Sequence, residues 1–175
     1  MGHARAGELY AGLEDVRGSR AGAGTVELIV PRPDVDEREV IVEGTLDPEE
    51  GLVGDTWRIR GSAHPDMQLT LINARAIDLV AGSRERRALA GDQLYVDLDL
   101  STDNLQPGTR LAVGSAVVVV SEAPHTGCAK FSGRFGSEAL RFVNSPVGRA
   151  LRLRGINAKV MEPGAVRQGD AVRKL

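Results

Sequence analysis

The sequence predicts a mainly β protein, a barrel or sandwich decorated by a few α-helices, and three observations carry that reading. Short runs of Val, Ile and Leu recur between Gly and Pro punctuation. Glycine makes up 21 of 175 residues with no fixed period, which calls for many tight turns and excludes a collagen-like chain. Helical spacing is confined to short segments, most of them late in the chain. With 42% hydrophobic and 26% charged residues, the chain has the size and composition of one globular domain.

The elements follow in order. Leu9, Leu13 and Val16, with Tyr10 beside them, lie along one side of a short amphipathic helix. The glycine-rich stretch 18–24 breaks it and reads as a flexible connector. Thr25-Val26-Glu27-Leu28-Ile29-Val30 is a strand stopped by Pro31 and Pro33, and Val40-Ile41-Val42 is a second strand candidate. A loop rich in acid and glycine spans 47–55. Gln68-Leu69-Thr70-Leu71-Ile72 is a strand running into Asn73, which caps a helix over 74–81 that Gly82 ends.

Residues 94–100 alternate, apolar at even positions, the signature of a strand with one buried face. Two more strands, 109–113 and 116–120, flank the turn at Gly114-Ser115. Phe131, Phe135, Leu140, Phe142 and Val143 carry helical spacings centred on 137–143, and another short helix starts near Ser145 with Pro146 in its first position. Residues 156–160 resume strand character, Pro163-Gly164 turns, and Val166 with 169–172 forms a closing strand.

Net charge is −2 with a pI near 5.9, which argues against a simple basic nucleic-acid binder. The charge is unevenly spread. Residues 129–175 hold 10 Lys/Arg against 3 Asp/Glu, a balance of +7, and the remainder holds 12 against 21, a balance of −9. This is either an anion-binding side or two faces that attract each other. The single cysteine, Cys128, excludes an internal disulfide and fits a reducing compartment. With neither a signal peptide nor a membrane-length apolar run, the expected location is cytoplasmic.

Cys128 leaves the most apolar strand in the loop Pro124-His125-Thr126-Gly127-Cys128-Ala129-Lys130-Phe131. Lys130 and the basic segment favour its thiolate, and His125 is placed to act as a base or hydrogen-bond donor. The alternative is a small buried hydrophobe. A zinc site lacks ligands beyond His125 and Cys128, and a protease-like dyad lacks its third partner. Gly51-Leu52-Val53-Gly54-Asp55 is a tight turn without P-loop or dinucleotide spacing. Arg152-Leu153-Arg154-Gly155-Ile156-Asn157 offers two guanidinium forks suited to phosphate, or else a solvated face.

Taken in order, these pieces resemble the MOSC domain, named after the C-terminal part of molybdenum cofactor sulfurases. The resemblance runs from about Thr25 to the C-terminus and sets residues 1–24 apart as an N-terminal helix and connector. It rests on Gly51-Leu52-Val53-Gly54-Asp55, Gln68-Leu69-Thr70-Leu71-Ile72, Gly91-Asp92-Gln93-Leu94, the stretch 105–114, the cysteine loop, and Arg154-Gly155-Ile156-Asn157 with Gly169-Asp170. It implies a closed β-barrel of the pyruvate kinase β-domain type with peripheral helices. It also implies a functional cysteine, here Cys128, that carries persulfide sulfur or ligates the molybdenum of a pterin cofactor. Some members of the family reduce N-hydroxylated bases with that cofactor.

On this reading the catalytic residues are Cys128, His125 and Lys130, with Cys128 as the metal ligand, and Gln93, Thr126, Arg154 and Asn157 contact the molybdenum cofactor (molybdopterin). The family is also associated with pyridoxal phosphate through a desulfurase domain that has no counterpart here. A cysteine desulfurase or an electron-transfer partner would therefore be a separate protein, acting beside a small-molecule substrate; the alternative is a barrel that binds an anionic ligand or a protein partner without turnover. Two departures stand out. Gly91-Asp92-Gln93-Leu94 replaces the usual Gly-Glu-Asn-Leu, and Gly127 rather than proline precedes the cysteine.

Overall fold

In the computed structural model, which describes residues 2–61 and 63–175, the first apolar run forms strand β1 (Ala23–Ile29), and six other strands close a barrel with it. These are β4 (Leu69–Asn73), β5 (Leu94–Asp97), β6 (Arg110–Val113), β7 (Ala116–Val120), β8 (Ile156–Glu162) and β10 (Ala171–Lys174). Around the barrel the order is β1, β10, β6, β7, β8, β4, β5 and back to β1. A separate three-stranded sheet joins β2 (Glu43–Asp47) to β3 (Gly51–Leu52) on one side and to β9 (Gly164–Arg167) on the other.

Every barrel pairing is antiparallel except β4 with β5, where Leu71 lies opposite Leu94. A parallel pair needs a crossover connection. Helix α3 (Ala74–Ala81) and a 3-10 segment over Arg84–Ala90 supply it. Asn73 ends β4 and caps α3, its side-chain oxygen accepting from the N–H groups of Arg75 and Ala76. Its amide donates to Leu98 O and Ser19 Oγ, tying the start of the crossover to the barrel.

The apolar residues form two cores, one on each side of the barrel wall. Inside, Val26, Ile29, Leu69, Leu71, Leu94, Val96, Val118 and Val160 pack together, joined by Leu46, Leu52 and Val166 from the smaller sheet. Outside, Leu28, Ile72 and Tyr95 meet α1 (Ala6–Ala11), α2 (Leu13–Arg17), α3, α4 (Ala129–Phe135) and α5 (Ser137–Asn144) through Leu9, Leu13, Ile77, Phe131, Phe135 and Phe142. Each such side chain, fully buried, contributes about 1.5–3 kcal/mol of transfer free energy.

This second core corrects the expectation of one buried face for 94–100. Tyr95 is fully buried because helices cover the barrel there, and its hydroxyl donates to Arg87 O at 3.1 Å. Residues 40–42 also depart from the expected strand. Only Ile41 bridges to Ile29, while Val40 and Val42 face solvent, and the ladder begins at Glu43. The stretch 18–24 is bonded along its length, through Arg20 O to Asp99 N, Ala21 O to Asn104 Nδ2 and Gly22 O to Lys174 N. The helical spacing that includes Phe131 and Phe135, expected around 137–143, divides into two helices, α4 and α5, broken at Gly136, whereas α6 (Pro146–Ala150) starts as expected, with Ser145 Oγ accepting from Gly148 N.

Candidate functional site

The Gly91-Asp92-Gln93 segment leading into β5 and the Arg154-Gly155 segment leading into β8 enter the barrel wall on either side of β4, and the cysteine loop passes between them. Asp92 is fully buried and grips two partners. Its Oδ2 accepts from Arg154 Nη1 at 2.5 Å, and its Oδ1 lies 3.0 Å from His125 Nε2. Burial opposes its charge, but Arg154 and His125 outweigh that and hold the carboxyl down at about 2. Burial and the Arg154 charge lower His125 against the pull of Asp92. The imidazole is therefore neutral near pH 7, Nε2–H donates to the ionised Asp92, and Nδ1 keeps its lone pair.

Arg154 is itself nine-tenths buried. Beyond Asp92 it donates from Nη2 to Ala90 O at 3.0 Å and stacks 5.1 Å above the Phe131 ring, leaving Nε without a partner. Its guanidinium thus serves mainly to fix the Asp92–His125 pair.

Cys128 sits at the N-terminal end of α4 and is exposed. Burial of the sulfur works against the thiolate. The N–H groups of Phe131 and Lys130, with the charges of Arg154 and Arg134, overcome it and bring the thiol below its ordinary range. The thiol opens onto a cleft of about 370 Å³, walled by five arginines (Arg32, Arg38, Arg60, Arg134 and Arg154) with Lys130, His125 and Phe131. Asp34, Asp36 and Glu37 form its acidic rim. Asp36 faces Arg134 at 3.6 Å and Lys130 at 3.9 Å, whereas Arg38 Nε is buried without a partner.

Asp55 supports this wall from behind. It takes a two-pronged bond from Arg32, with Nε to Oδ1 and Nη2 to Oδ2 both at 2.8 Å, and also accepts from Trp57 N. Gln93 completes the bracket. Fully buried, its Oε1 accepts from Thr70 N and Thr70 Oγ1, and its Nε2 reaches Asp55 Oδ2 at 3.3 Å.

The expected site residues therefore divide. Cys128, Lys130, His125 and Arg154 share the cysteine cleft. Thr126 and Asn157 line a second cavity, together with His125 and Arg154. Gln93 lines neither, its amide being committed to the bracket. Sequence reasoning missed Asp92, Arg32, Arg38 and Arg134, although Asp92 stood within a quoted motif. Among the described residues no group of three or more His, Cys, Asp or Glu is placed to hold a metal ion, and no helix is long and apolar enough to cross a membrane.

The family model of the MOSC domain matches residues 60–173. No curated protein matches the sequence. Among solved structures, the YuaD protein from Bacillus subtilis superposes with a TM-score of 0.62 at 17% identity, covering 86% of this chain and 94% of its own. YiiM from Escherichia coli gives 0.57 at 20% identity, covering 86% and 69%, and YiiM from Geobacillus stearothermophilus gives 0.56 at 14%, covering 90% and 74%. At these identities the likeness is one of fold.

Proposed function

Because this chain belongs to the MOSC domain family, we propose that its basic cleft holds a molybdenum cofactor, with Cys128 Sγ as the ligand the protein gives the metal. The observation that carries this reading is the single cysteine, biased toward thiolate, opening onto a cleft walled by five arginines. Thiolate is a soft ligand, and guanidinium forks match phosphate oxygens.

The residues fit such a group. Arg38 Nε is a buried donor lacking a partner, and the cleft volume falls within the usual range for small-molecule sites. One thiolate cannot by itself saturate a metal ion, so a metal bound here would arrive already chelated by an organic group. Arg38, Arg60 and Lys130 would hold the anionic part of the cofactor, and His125, neutral and fixed by Asp92, would offer Nδ1 to accept or return a proton. When bound, the cofactor would supply two-electron redox chemistry of the kind that reduces an N-hydroxylated base. The electrons would come from a separate electron-transfer protein.

The exposure of Cys128 supports one other reading, a persulfide relay fed by a cysteine desulfurase. The test is to purify the wild type and Cys128→Ser from cells that make the cofactor. Molybdenum content is then compared, along with reduction of an N-hydroxylated purine by an artificial electron donor. Metal and activity in the wild type alone are the expected result. Metal in neither protein, with persulfide on Cys128 after incubation with a desulfurase, would replace this reading with the relay.

A further inference from the structure

The second cavity, of about 270 Å³, lies across His125 and Arg154 from the cysteine cleft and does not include Cys128. Two buried polar atoms on residues lining it have no partner, Asn157 Oδ1 and Ser121 Oγ. The orientation of Asn157 is fixed, because its Nδ2 donates to Ala123 O at 3.1 Å and Pro124 O at 3.2 Å. A flipped amide would set its oxygen against those two carbonyls. The orphaned atom is therefore an acceptor that asks for an N–H or O–H, and leaving a buried polar atom unpaired costs about 1–3 kcal/mol.

Arg152 adds an independent signal. It is half-buried and holds a left-handed backbone at φ 49°, strain that persists where the surroundings fix a residue in place. Its Nη1 donates to the carbonyls of Leu100 and Leu105. Burial pulls its pKa down, and among the described residues no carboxylate lies within 4.0 Å to counter the charge. Arg149, which is exposed, likewise has no carboxylate within 4.0 Å among the described residues, and its Nε donates to Asn144 O. Glu122, exposed, is the one acid on the lining.

We propose that this cavity is a second small-molecule site, for a compound that carries a carboxylate or phosphate together with an N–H or O–H donor. Arg149 and Arg152 take the anion, Asn157 Oδ1 takes the donor, and Ser121 Oγ completes the polar lining. The cavity volume lies just under the range for drug-sized ligands, which suits a molecule of few heavy atoms. The inference does not depend on the molybdenum reading and stands whether or not Cys128 binds metal. His125 lines both cavities, so a ligand here lies beside whatever the cysteine holds.

Phosphoethanolamine, which carries both functions, is titrated calorimetrically into the full chain beside methyl phosphate and ethanolamine, which carry one each. Phosphoethanolamine is expected to bind about tenfold or more tightly than either. Arg152→Gln and Arg149→Gln should each weaken it about tenfold, and Ser121→Ala about threefold. Arg149 is exposed, so its variant keeps the test decisive should Arg152→Gln fail to fold. Equal affinity for the three probes, or none in the millimolar range, would overturn the proposal. So would loss of binding in Arg38→Gln with Arg149→Gln unaffected, which would place the probe in the cysteine cleft.

Discussion

Cys128 owes its acidity to neighbours that oppose one another: partial burial raises the pKa of the thiol, while two backbone N–H groups and the charges of Arg154 and Arg134 lower it more. Alkylation by iodoacetamide, followed against pH, should therefore give an apparent pKa below the unperturbed thiol value of about 8.5. A value at or above that would remove the electrostatic basis for a reactive cysteine. Asp92 is the residue on which His125 and Arg154 both depend. Asp92→Asn leaves the Arg154 charge buried without a counter-charge, which should cost roughly 3–5 kcal/mol in denaturant unfolding. The pH dependence has a definite sign. Because the folded carboxyl is held at about 2, below its ordinary 3.8, its stabilising contribution is complete above about pH 4 and is lost as pH falls toward 2. The variant should lose that part of its acid sensitivity, and stability curves at pH 7 and pH 3 would show it.

At the scale of elements, the join between Arg154 and β8 turns on Gly155. Its φ of 104° is open to glycine, and a Cβ there would strike Leu71 O on β4. Gly155→Ala should destabilise the fold by about 3 kcal/mol. Gly22→Ala, where the added methyl meets open space, should change little. A thermal shift equal in both variants would contradict this account of the turn. The same scale explains which elements could be read in advance. Strands β6 and β7 and helix α3 declare themselves through β-branched runs, an Asn cap and a terminating glycine, all local signals. Val40 and Val42 look equally strand-like, yet they lie where β1 offers only Ile41 a partner, through Ile29, and partnership is not written locally. The spacing of Phe131 and Phe135 by four residues was the available clue to α4, with Gly133 between them diluting it.

For the molecule as a whole, a mainly β fold was foreseeable, because strand count and glycine turns are properties of the chain in order; they left barrel and sandwich open, and the closed barrel was implied by the resemblance to the MOSC domain. The candidate site was legible only in part. Cys128, His125, Lys130 and Arg134 are close in sequence, but Arg32, Arg38 and Arg154 reach the same cleft from distant segments, and the fold also sets Asp92 behind His125 and Arg154. Gln93 shows the converse. Its motif position suggested the cleft, while its amide is taken up by hydrogen bonds to Thr70 and Asp55, partners that lie far off in sequence.

Closure depends on β1 pairing with β10, Ala23 lying opposite Arg173 and Thr25 opposite Ala171. On the ribosome these partners are made at different times. Strand β5 is complete at residue 97, and β10 begins only at residue 171. At an elongation rate of about 5–20 residues per second, the nascent chain waits roughly 4–15 s with β1 presenting a bare edge, joined by that of β6 once residue 113 is made. Open edges recruit strands from other chains. A chain ended at Gly169 makes that interval permanent, and it should partition into the insoluble fraction where the full chain does not. Codon choice or a chaperone acting between β5 and β10 would then govern yield with every folded-state contact unchanged.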